Sequence, residues 1–82
     1  MADDAKIDES ILSIATANGR QMKVAMLIAK VSAALDGSAS NESRLKQIAS
    51  RIEALVTTGH LEGFGNLKRW RRSEVRAAER ES

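Results

Sequence analysis

The side chains of this sequence that are best suited to binding another molecule are basic and amide groups in two segments, residues 44–51 and 68–72. An arginine can donate two hydrogen bonds to guanine, a glutamine can bond adenine in a similar two-point manner, and a lysine neutralises phosphate. We predict that these groups contact nucleic acid, with DNA as the expected partner. The predicted contact residues are Arg44, Lys46, Gln47, Arg51, Lys68, Arg69, Arg71 and Arg72.

The same residues also fit the solvated face of a domain that binds no nucleic acid. Every amphipathic helix is polar on its outer side, and Glu42 and Glu53 lie near the basic groups of the first segment. Under this second interpretation the domain binds another protein, or itself as a dimer, and Phe64 and Trp70 are the predicted partner-binding residues. Trp70 could stack on a base, although the only tryptophan of a small domain is more often a core residue.

The remaining polar residues do not form a pattern that is typical of an enzyme. The sequence has no cysteine and one histidine, His60, so thiolate and histidine-rich metal sites are excluded. The Gly63-x-Gly65 segment lacks the third glycine and the Lys-Ser/Thr ending of nucleotide-binding loops. Ser73 and Glu74 have no histidine or lysine partner that would complete a nucleophilic site. We therefore predict no catalytic residue, no cofactor and no metal.

Composition restricts the chain to a single small domain. Its 82 residues, 43% of them hydrophobic, are enough for one thin core, which we expect within about residues 7–76, with frayed ends. Residues 1–41 carry four basic and five acidic side chains, whereas residues 42–82 carry nine basic and six acidic ones. This asymmetry favours an anionic partner. Without a long apolar run or a signal-like N-terminus, we expect a soluble, cytoplasmic protein.

Three helices are predicted before residue 60. The first covers about residues 8–17 and ends at Asn18-Gly19, and the second runs from Gln21 to Leu35. The second is apolar around most of its circumference, with one side formed by Met22, Ala25, Met26, Ala29 and Ala33, which predicts that it is sandwiched between two other elements. The third begins at a Ser40 or Asn41 cap, ends at Gly59, and directs its Arg44, Gln47 and Arg51 side towards solvent.

The hydrophobic period changes after Gly59. Residues 60–65 alternate and are interrupted by glycines, which indicates a strand, and Gly65-Asn66 is a turn signal. Residues 70–76 fit a second strand, with Trp70, Arg72 and Glu74 on one face and Arg71, Ser73 and Val75 on the other, although the apolar Trp70 and Val75 then fall on opposite faces. A helical stripe of apolar residues between positions 67 and 78 fits as well, so periodicity alone leaves both possibilities open.

Three helices followed by a hairpin is the element order of a winged helix-turn-helix, in which the third helix is displayed and the hairpin is the wing. The fold predicted here is therefore α+β: a three-helix body with a C-terminal β-hairpin wing. Independently, the end of the chain resembles an uncharacterised bacterial family of small winged-helix-like domains. The resemblance rests on Arg51-Ile52, Leu55, Gly59, Leu61-Glu62, Gly65-Asn66-Leu67, Trp70-Arg71 and Ser73-Glu74-Val75-Arg76. It implies the strand for residues 70–76, and it carries over no catalytic or binding residue.

Overall fold

A computed structural model describes residues 2–37, 41–65 and 72–78 of the chain. These residues form three helices, α1 (Ala2–Asn18), α2 (Val24–Asp36) and α3 (Glu42–Thr57), and three strands, β1 (Met22–Lys23), β2 (Leu61–Phe64) and β3 (Glu74–Ala77). The strands form one antiparallel sheet in the order β1-β3-β2. The predicted α+β class is confirmed. The arrangement is compatible with a small winged-helix-like fold in which the β2–β3 hairpin is the wing.

The strand β1 was not predicted from the sequence. Met22 and Lys23, which were assigned to the start of the second helix, pair with Val75 and Glu74 of β3, so α2 begins at Val24. The side chain of Met22 is buried and that of Lys23 is exposed, as in any half-buried strand. Two residues are too few to establish an alternating pattern, and the apolar residues that follow them have a helical period.

The strand interpretation of the C-terminal segment is the one that the structure shows. Glu74–Ala77 pair with β2, with Gly63 opposite Val75, and this excludes the helical alternative for the described residues 72–78. The strand begins at Glu74 rather than at the predicted position 70. Ser73 and Val75, which the strand pattern places on one face, are both buried. Residues 66–71, which the alternatives also covered, lie outside the described part of the chain.

The hydrophobic core lies where the three helices meet one face of the sheet. Large β-branched and leucine side chains fill it: Ile7, Ile11, Val24, Leu27, Ile28, Val31, Ile48, Ile52, Leu55, Leu61 and Val75, together with Ala15 and Met22. The side of α2 that carries Met26 and Ala33 is not its buried side. Met26 is 52% exposed and Ala33 is also exposed, because the bulkier Leu27, Ile28 and Val31 bury more apolar area against α1 and α3. The helix packs against both α1 and α3, as expected of a sandwiched helix, while the side that carries Met26 and Ala33 faces solvent.

Caps fix both ends of α3. Asn41 is the N-cap, since its side-chain oxygen accepts a hydrogen bond from the backbone N–H of Arg44 at 3.2 Å. After Thr57 the chain reverses through Gly59 at a φ of +86°, and the backbone N–H of His60 donates to the carbonyl of Leu55. A left-handed φ favours glycine, so this residue directs the chain out of the helix and into β2.

The helix α1 starts earlier than predicted, at Ala2 rather than near residue 8. The additional residues precede Ile7, the first residue of the hydrophobic stripe from which the start of the helix is predicted. Within the described residues, none of the helices has the length and apolar character that crossing a lipid bilayer requires.

Candidate nucleic-acid interface

The predicted basic stripe of α3 lies at the border of the helix bundle rather than on its outermost side. Arg44, Gln47 and Arg51 are half-buried, which corrects the expectation that this side is directed to solvent. The exposed side of α3 instead carries Lys46 among hydroxyl and acidic groups: Glu42, Ser43, Ser50, Glu53 and Thr57. The buried residues Ile48, Ile52 and Leu55 set this rotation of the helix, because they must face the core.

Arg44 connects the start of α3 to the end of α2. Its Nε donates to Asp36 Oδ2 at 2.8 Å and its Nη2 donates to Asp36 Oδ1 at 3.3 Å. Its Nη1 donates to Gln47 Oε1 at 3.2 Å. Two of the predicted contact residues therefore touch each other, and the guanidinium charge of Arg44 is balanced by the carboxylate that ends α2.

Arg51 forms the same kind of contact with α1. Its Nε donates to Asp8 Oδ1 at 2.8 Å and its Nη2 donates to Asp8 Oδ2 at 2.6 Å. The hydrogen bonds to Asp8 are the largest cause that raises the pKa of Arg51 above its ordinary value, and the negative charge of Asp8 is the next largest. The charged guanidinium of Arg51 is therefore held against a carboxylate.

The two arginines present a repeated geometry along one helix. They are seven residues apart, or about 10 Å along the axis, and each directs two parallel N–H groups at a carboxylate. The guanidinium fork bonds a phosphate in the same way as it bonds a carboxylate. Both pairs are partly solvated, with side-chain exposures between 23% and 31%, so a phosphate has access to them.

The predicted wing residues are described only in part. Lys68, Arg69, Trp70 and Arg71 lie outside the described residues, while Arg72 is exposed immediately before β3. Arg72 shares a small cavity with Lys23 of β1. Sequence reasoning missed Lys23 as a neighbour of Arg72, because only the pairing of β1 with β3 brings the two together.

Phe64, predicted as a partner-binding residue, is half-buried at the end of β2. The guanidinium of Arg76 lies 5.8 Å from the centroid of its ring and also forms an ion pair with Glu62. This cation–π arrangement covers part of the ring. Phe64 therefore offers a partner only a fraction of its apolar surface.

Comparison with known proteins gives no match for this chain. No family model, no curated protein and no solved structure matches the chain significantly. The resemblance of its C-terminal third to a bacterial family of small winged-helix-like domains therefore stays a prediction.

Proposed function

We propose that this domain binds duplex DNA through α3 and the basic wing, mainly by contacts to phosphates. The observation that carries the proposal is the pair of arginine forks at Arg44 and Arg51, two helical turns apart on one side of α3. The winged-helix-like arrangement supports it, since in such folds the third helix and the hairpin contact neighbouring parts of a duplex. A cytoplasmic location belongs to the same proposal.

Binding by this surface requires an exchange of partners. Asp36 and Asp8 neutralise the two guanidiniums in the unbound domain, and a DNA phosphate must displace each carboxylate. Because one ionic contact replaces another in this exchange, much of the binding free energy comes from the counterions that the DNA releases. We therefore expect weak binding with little sequence preference, with dissociation constants of roughly 10⁻⁴ to 10⁻⁶ M at physiological salt.

Asp8→Asn tests the exchange directly, because it removes the carboxylate that competes with a DNA phosphate for Arg51. We expect Asp8→Asn to bind a fluorescent duplex more tightly than the wild type does in an anisotropy titration, and to steepen the slope of log affinity against log salt by about 1. Glu9→Gln is the matched control, since it removes the same charge from the neighbouring position of α1, where Glu9 is exposed and forms no ion pair with a described residue.

A gain in Asp8→Asn no larger than that in Glu9→Gln would mean that Arg51 does not contact DNA. The gain must also vanish when Arg51→Gln is added to Asp8→Asn. Arg44→Ala combined with Arg51→Ala should remove most of the affinity. Wild-type protein that fails to bind duplex DNA even at low salt would overturn the proposal as a whole.

The second candidate function is a protein-interaction or self-association module. It is favoured by the outer side of α3, where Lys46 stands beside Glu42 and Glu53, and by Met26, which exposes half of its surface on α2. Such a mixed surface suits a protein partner better than a polyanion. A chain that does not bind duplex DNA but sediments as a dimer would favour this second function.

A further inference from the structure

Gln47 bonds one of the two arginines of α3, and this contact gives the two arginines different support. Its Oε1 accepts a hydrogen bond from Arg44 Nη1 at 3.2 Å, while the Nε and Nη2 of Arg44 donate to Asp36. A guanidinium has only donors, so the amide atom that faces it must be the oxygen, and the Nε2 of Gln47 points away. All three nitrogens of Arg44 are therefore bonded, two of them to α2 and one to α3 itself.

Arg51 has no such second acceptor. Both of its hydrogen bonds go to Asp8, and among the described residues no other acceptor bonds it. Gln47 follows Arg44 by three residues, a spacing that makes two side chains neighbours on a helix. The residue at the same spacing from Arg51 is Ala54, which carries no acceptor. The carboxylate of Asp8 alone therefore orients the guanidinium of Arg51.

The difference matters when a DNA phosphate replaces the two carboxylates. The phosphate takes the edge of Arg44 that Asp36 held, and the bond from Nη1 to Gln47 remains, so the Nε and Nη2 stay directed at the ligand. Arg51 loses its one orienting contact at the same step. A group that is oriented before binding loses less conformational entropy when the ligand arrives. Arg44 is therefore the better prepared of the two phosphate contacts.

The same contact bears on the prediction that Gln47 reads adenine. A glutamine that reads adenine bonds the base with its Oε1 and Nε2 together. The Oε1 of Gln47 is bonded to Arg44, and the residue is half-buried at the border of the helix bundle. Turning the amide towards a base edge would move the oxygen away from Arg44. The contact therefore favours a role in which Gln47 acts through the arginine.

We propose that Gln47 is a positioning residue, which holds Arg44 in a phosphate-binding orientation when Asp36 is displaced and reads no base itself. The inference rests on the proposed function and deepens it. Because Gln47 carries no charge, its loss should weaken binding without changing the number of phosphates that the interface neutralises. Its loss should also affect all duplex sequences equally.

The first experiment needs no DNA. Asp36→Ala removes the carboxylate from Arg44, as a phosphate would displace it, and ¹⁵N relaxation of the arginine Nε–H groups in the full-length protein measures their order. We expect the Nε of Arg44 to stay ordered in Asp36→Ala and to become mobile when Gln47→Ala is added. Gln47→Glu retains an acceptor and should restore the order. An Arg44 that is equally mobile with and without Gln47 would overturn the inference.

Two further variants serve as controls for this experiment. Asp8→Ala should make the Nε of Arg51 mobile without a second substitution, because no other acceptor holds it. Gln21→Ala is the matched control for the glutamine change, since Gln21 bonds Glu74 outside α3. It should leave the order of Arg44 as it is in the wild type.

The second experiment is an anisotropy titration of fluorescent duplexes. Gln47→Ala should lower the affinity about three- to tenfold, because it removes a hydrogen bond that orients a charged group. The slope of log affinity against log salt should stay as in the wild type, whereas Arg44→Ala should reduce it by about 1. The loss should be equal for A·T-rich and G·C-rich duplexes. A loss confined to A·T-rich duplexes would show that Gln47 reads adenine and would overturn the inference.

Together the two experiments separate this inference from the proposed function. Wild-type protein that binds no duplex, although Gln47 keeps Arg44 ordered in Asp36→Ala, would reject the proposed function and support Gln47 as the residue that orients Arg44. Duplex binding that Gln47→Ala leaves unchanged would reject the inference and leave the proposed function standing.

Discussion

At the scale of single residues, Asp8 and Asp36 decide how much positive charge α3 presents. Each accepts two hydrogen bonds from one arginine, so the two strongest candidates for DNA contact are neutral as pairs in the unbound domain. The contacts also fasten α3 to α1 and to the end of α2. The same two carboxylates therefore compete with a ligand and help to hold the helices together.

The Asp8→Asn variant also tests how far the contact between Asp8 and Arg51 stabilises the fold. Asp8→Asn should lower the melting temperature at low salt, and the loss should shrink in high salt, since partly exposed ion pairs are screened. Thermal unfolding followed by circular dichroism at two salt concentrations measures it, with Glu9→Gln as the control that should change little. A loss of equal size at both salt concentrations would show that the contribution is not ionic.

At the scale of elements, the caps of α3 contribute to its stability, because they satisfy backbone groups that the helix itself leaves unpaired. The N-cap Asn41 satisfies the backbone N–H of Arg44, the residue that also bonds Asp36. Loss of the cap would loosen the first turn of α3 and with it one of the two arginine forks. The cap therefore affects both stability and the geometry of the candidate interface.

Asn41→Ala should lower the free energy of unfolding by about 1 kcal/mol, since alanine cannot accept the hydrogen bond from Arg44. Urea unfolding measures the change. Asn41→Asp is the matched variant, because aspartate caps helices as well as asparagine does, and it should retain the stability of the wild type. If the alanine and aspartate variants unfold alike, the capping bond does not contribute.

At the scale of the whole molecule, stability depends on a thin core. Thirteen hydrophobic side chains are buried among the described residues, and they come from all three helices and from every strand of the sheet. A chain of 82 residues is expected to have a free energy of unfolding of roughly 4–12 kcal/mol. The loss of one large core side chain is therefore a substantial part of the total.

Ile52→Ala should lower the free energy of unfolding by roughly 2–5 kcal/mol and the melting temperature by roughly 10 °C or more, because Ile52 is fully buried in α3. Calorimetry measures both. Ile14→Ala is the matched control: Ile14 is half-buried at the edge of the core, so its loss should be clearly smaller. Equal losses at the two positions would contradict the burial seen in the structure.

The sequence by itself determined the three helices and the break after Gly59, because hydrophobic period, caps and glycines act between residues that are near in the chain. Periodicity left the segment after Gly65 open between a strand and a helix, and the pairing of β3 with β2 decided it. The sequence also identified Ser73 and Val75 as residues of one face. Only the tertiary structure decided that Arg51 bonds Asp8, 43 positions away, and that Lys23 stands beside Arg72. The partners of a polar side chain depend on how the helices rotate and dock. Core packing sets this rotation and docking, and local sequence patterns carry no direct information about it. The two-residue strand β1 stayed hidden for the same reason, since pairing with β3 is what makes it a strand.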